Sequence, residues 1–64
     1  MKDTNEPYYK GLLYSQIGEV YYAQMNYNRA YHYFRESRNN FRQSENLREE
    51  TEATLDMAAA TYHS

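Results

Sequence analysis

The sequence predicts an all-α fold: one antiparallel helix-turn-helix followed by the opening helix of a second, three helices in all. Three observations predict it. Apolar residues recur three or four positions apart from Tyr8 onward, and nothing alternates with period two over a useful length. Two breaks, at Met25-Asn26 and at Ser44-Glu45-Asn46, divide that pattern into three segments. Large and tiny side chains also alternate at helical spacing, as Tyr14-x-x-Ile17-Gly18-x-x-Tyr21 and then as Tyr27-x-x-Ala30-x-x-x-Phe34-x-x-Ser37. A small residue on one helix leaves the hollow that an aromatic ring of its partner fills, so this alternation marks two clasped helices.

Residues 1–6 are polar and are expected to form a flexible N-terminal segment ahead of a helical domain over 7–64. The first helix is expected over residues 7–24. Pro7 suits its first turn, where a missing N–H costs nothing, and Asn5 or Glu6 can precede it. Leu13, Tyr14, Ile17, Gly18, Val20 and Tyr21 form its apolar stripe. Gly18 inside a helix is unfavourable by about 1 kcal/mol against Ala, and close approach of the next helix supplies a reason for it.

Asn26 is a good N-cap for a second helix over residues 27–43, which carries Tyr27, Ala30, Phe34, Ser37 and Phe41 on one face. Asn46 followed by Glu49 has the form of a capping box and opens a third helix over residues 47–62, with Glu49 and Glu50 at its positive end. Leu47, Thr51, Leu55, Ala58 and Tyr62 share one face of that helix. The third helix also echoes the first: Tyr14, Ile17, Gly18 and Tyr21 map onto Leu55, Ala58, Ala59 and Tyr62 at a constant shift of 41 residues.

Over residues 11–62 the pattern resembles the tetratricopeptide repeat, a helix-turn-helix unit that stacks into α-solenoids, here about one and a half units. Tyr14 stands where the family often has Trp, and Ile17-Gly18 stands for its Leu-Gly; Tyr21, Tyr27, Ala30, Phe34 and Ser37 keep the expected character. The shift of 41 resembles the longer-loop variety of bacterial signalling regulators. Met25 occupies the place of a frequent turn glycine, so the turn is expected to rely on Asn26 for a left-handed conformation. The resemblance implies a protein–protein interaction scaffold in a larger regulatory or signalling protein, or a self-associating unit.

Composition bounds the other classes. At 64 residues the chain is one small domain at most, near the lower limit for an independent core. Hydrophobic residues make up 41%, but nine are Tyr, whose hydroxyls stay near water. A net charge of −2 argues against general nucleic-acid binding and against a polybasic membrane anchor. Without cysteine there is neither a disulfide framework nor a thiolate metal site, and no apolar run suits a membrane span or a signal-peptide core. The cytoplasm is the expected compartment.

Catalysis finds little support. His32 and His63 form neither a His-x-x-x-His nor a Glu-x-x-His pair, so no metal or other cofactor is expected. Ser15, Ser37 and Ser44 have no activating base at helical spacing, and Glu49, Glu50 and Glu52 are explained by their place at a helix start. No glycine-rich phosphate loop is present. The sequence therefore reads as a non-enzyme.

Two binding surfaces remain. In the resembled fold the first helices of successive pairs line a groove, which implies Leu12, Ser15, Glu19 and Tyr22 on the first helix and Asp56, Ala60 and His63 on the third. Ser15 and Glu19 do not match the carboxylate clamp of chaperone-binding members; an acidic, aromatic-edged groove suits a cationic or mixed peptide. The alternative is a small three-helix nucleic-acid-binding regulator using the stripe Arg35, Arg38 and Arg42, which reads structurally as a solvated face reaching Glu45 or Glu49. The third helix ends without a partner for Ala58, Ala59 and Tyr62, so stacking on further repeats or homo-oligomerisation is expected.

Overall fold

Two glycines decide how the first two helices meet. The computed structural model describes residues 5–63, and within them lie α1 (Asn5–Ala23), α2 (Tyr27–Gln43) and α3 (Leu47–His63), with no strand. A Cβ placed on Gly18 would stand 2.7 Å from the Phe34 ring, and one on Gly11 would stand 2.6 Å from the Phe41 ring. The expected clasp at Gly18 is therefore present, and Gly11 repeats it one notch along. Between the two, Ser37 Oγ donates a buried 2.7 Å hydrogen bond to the Gly11 carbonyl. That bond helps fix the register of the two helices, and it satisfies a fully buried hydroxyl.

Of the face expected of α2, Ala30, Phe34, Ser37 and Phe41 are buried and Tyr27 is half-buried. The same stripe serves both neighbours: Ala30 and Phe34 also pack with Met57 and Ala60 of α3. Each outer helix lies along α2, while α1 and α3 make little direct contact. The result is an open array rather than a closed three-helix bundle. On the far side of the α1–α2 clasp, Tyr33 stacks on Tyr21 (5.5 Å) and on Tyr14 (6.0 Å), and Arg29 sits over the Tyr21 ring.

Both turns are built alike. Asn26 N–H reaches the Tyr21 carbonyl and Met25 N–H that of Tyr22; Asn46 N–H reaches Phe41 and Glu45 N–H reaches Arg42. These are the paired bonds of a Schellman ending, which needs a left-handed residue. That residue is Met25 (φ 63°) in the first turn and Glu45 (φ 61°) in the second. Asn26, expected to be left-handed, instead has φ −90° and caps α2 by accepting from Arg29 N–H. Asn46 accepts likewise from Glu49 N–H. The reciprocal arm of the capping box is not made, because the Asn46 N–H is already committed to Phe41.

Three sequence expectations need correction. The first helix begins at Asn5, ahead of residue 7, so residues 5 and 6 of the expected N-terminal segment are helical; residues 1–4 lie outside the described residues. Leu13 and Val20, placed in the core stripe of the first helix, are exposed. The buried face of α3 is Ala53, Met57 and Ala60, opposite the expected Leu47, Thr51, Leu55, Ala58 and Tyr62. The two turns also match, Met25-Asn26 being answered by Glu45-Asn46 20 residues later, and doubling that spacing gives a shift of 40 beside the 41 of the helix echo. At the shift of 40 Leu13, Ile17 and Val20 fall on Ala53, Met57 and Ala60.

Candidate partner-binding groove

Because α1 and α3 share one stripe of α2 without closing on each other, a groove runs between them. Two hollows follow it. One, of about 260 Å³, is lined by Ser15 and Glu19 of α1, by Glu49, Glu52, Ala53, Leu55 and Asp56 of α3, and floored by Phe41. The other, of about 320 Å³, joins Glu19, Tyr22 and Ala23 to Asp56 and Ala59 over Phe34. Phe41 and Phe34, each 2% exposed, close the bottoms of the two hollows without offering open ring surface.

Carboxylates dominate the walls. Glu19, Glu49, Glu52 and Asp56 surround the groove, and none is in an ion pair among the described residues, where Lys10 pairs with Glu6. Burial raises the Asp56 carboxyl above the usual carboxylate range, and the charges of Glu19 and Glu52 push it the same way. An added cation would relieve that repulsion. Glu49, Glu52 and Asp56 lie three and four residues apart on one face of α3.

The structure sorts the residues implied by the resemblance. Ser15, Glu19, Tyr22 and Asp56 come together in the groove. His63 stands at its far end, stacked on Tyr27 (5.4 Å) and edge-on to Tyr22 (5.6 Å). Leu12 is half-buried and lines neither hollow. Ala60 is wholly buried against α2 and has no surface to offer a ligand, so it belongs to the core and not to the groove. Sequence reading missed Glu49 and Glu52, whose spacing to Asp56 was the available signal, and missed the two phenylalanines as floor.

The arginine stripe is uneven. Arg35 and Arg42 are exposed, whereas Arg38 is half-buried with its Nε unpaired and one Nη donating to Asn39. No ion pair joins Arg38 or Arg42 to Glu45 or Glu49 among the described residues. Among those residues, too, no group of three or more His, Asp or Glu side chains is arranged to hold a metal, and no helix is long and apolar enough to cross a membrane. No protein-family model, curated protein or solved structure matches this chain.

Proposed function

We propose that this chain is a protein-interaction module of the tetratricopeptide kind whose α1–α3 groove takes a short cationic or mixed peptide. The observation that carries the proposal is the groove itself: four carboxylates, none in an ion pair among the described residues, with Tyr22 at their edge. Lysine or arginine side chains of a partner would meet the carboxylates while their aliphatic stems lie along Tyr22, Ala23 and Ala59. Tyr22 stands at the groove edge as a rigid contact that loses little entropy on binding. The reading requires no catalytic step and no cofactor, and it suits a cytoplasmic part of a larger regulatory protein.

Fluorescence anisotropy with a labelled Lys/Arg-rich peptide containing aliphatic residues tests it. Glu19→Lys should weaken binding about three- to tenfold at low salt, less at high salt, and Tyr22→Ala about tenfold. An acidic peptide of equal length should not bind. Binding that neither substitution alters would exclude the groove. Strong, steeply salt-dependent binding of random duplex DNA, lost on changing Arg35 and Arg42, would favour the nucleic-acid reading instead.

A further inference from the structure

The face of α3 turned away from α2 has a construction of its own. Thr51, Leu55, Ala58 and Tyr62 lie along it, all exposed, with Leu55 at 64% and Tyr62 at 86%. No charged residue interrupts the row. The Thr51 hydroxyl donates to the Leu47 carbonyl within the helix, so covering this face strands no polar group there.

Its small and large residues follow the rule that joins α1 to α2. There, two pits seven residues apart, Gly11 and Gly18, receive two rings seven apart, Phe41 and Phe34, in antiparallel order. On α3 the pits Thr51 and Ala58 are seven apart, and so are the knobs Leu55 and Tyr62. Pits and knobs sit on one face, which makes that face its own complement. A second copy laid antiparallel puts its Tyr62 over Thr51 and its Leu55 over Ala58, and receives the same pair in return.

Charge agrees with the antiparallel sense. Arg48 continues the row one turn before Thr51, so a parallel pair would set Arg48 against its own copy, while an antiparallel pair separates the two and aligns the helix dipoles favourably. The outward face of α1 lacks this property: Tyr9, Leu13 and Val20 are exposed, but the row holds knobs without pits. The core also calls for such cover, since beside Ala30, Ala53 and Ala60 it holds only Phe34, Phe41 and Met57 as large apolar residues.

We infer that the chain forms a two-fold dimer through α3, paired antiparallel with α3 of a second copy. This surface borders the groove and shares Leu55 with it, whereas Thr51, Ala58 and Tyr62 line neither hollow, so changes at Ala58 test the dimer apart from the peptide-binding proposal.

Sedimentation equilibrium should give twice the 7.7 kDa chain mass at high micromolar concentration. Ala58→Asp, on an exposed position outside both hollows, should weaken the dimer by about a hundredfold or more while circular dichroism keeps the helical signal; Leu13→Asp should leave the mass unchanged. The chain has no cysteine, so mixing Leu55→Cys and Ala58→Cys chains should yield the mixed disulfide ahead of either self-pair. A monomer throughout, a species larger than a dimer, a dimer broken by Leu13→Asp but not by Ala58→Asp, or failure of the mixed disulfide each overturns the inference.

Discussion

Replacing Gly18 by Ala sets two known effects against each other. In an open helix the change stabilises by about 1 kcal/mol, because Ala loses less backbone entropy on folding. Here the new methyl would lie 2.7 Å from two atoms of the Phe34 ring and 3.2 Å from a third. Phe34 is 2% exposed and packs against α3 as well, so its ring has no free space to retreat into and α2 must shift instead. Overpacking of that kind costs about 1–3 kcal/mol. The net expectation is a loss of about 1 kcal/mol, or about 4–8 °C in Tm for a domain of this size. Thermal melts followed by circular dichroism at one fixed chain concentration read it directly, concentration being fixed because self-association raises apparent stability. The companion variant Phe34→Leu opens the space, so Gly18→Ala made on that background should be neutral or stabilising. The cycle should show a coupling of about 1–2 kcal/mol. A Tm that rises in the single Gly18→Ala variant, or a cycle that is simply additive, would refute the clasp as the reason for this glycine.

Two other outcomes are expected. Met25→Gly should raise stability by about 0.5–1 kcal/mol in urea or thermal unfolding, since relief of a left-handed side chain exceeds the added entropy of glycine in the unfolded chain; Asn26→Gly should not, because Asn26 has φ −90° and caps α2. Asp56 binds its proton more tightly in the folded chain, so its contribution to stability falls as pH rises from the unfolded value of 3.8 through the higher folded value. Asp56→Asn should therefore stabilise at neutral pH, by an amount that vanishes below pH 3.8 and that added salt reduces only in the part due to Glu19 and Glu52, since burial is the larger cause; parallel pH series of melts on the two proteins measure it.

The second helix was legible to the residue in its bounds and, Tyr27 apart, in its buried face, because Ala30, Phe34, Ser37 and Phe41 form one narrow stripe on a largely polar helix. The third was legible in extent but not in orientation. Its alanines lie all round, and Leu55 and Tyr62 are bulkier than Ala53 and Ala60, so size alone pointed to the face that turns outward. What chose the inner face was α2, whose phenylalanines need small neighbours, and periodicity within one helix carries no record of that demand. Half the groove was legible for a related reason. Glu19 and Asp56 were placed by analogy with a repeat, whereas Glu49 and Glu52 had a sufficient local explanation as helix-start charges. Ala60 was assigned to the groove because a helix face one residue off in register exchanges ligand contact for burial.

The sharing of α2 also shapes how the chain gains and loses its structure. Each helix touches the one before or after it in the chain, while the two end helices hardly meet. Folding thus closes only short loops, which favours speed. Unfolding can begin at either end: α1 can peel away while Met57 and Ala60 still hold Phe34, or α3 can leave while Gly18 still does. The middle helix is released last on both routes, so the most persistent structure in this chain is its most polar helix, kept in place by its neighbours rather than by its own composition.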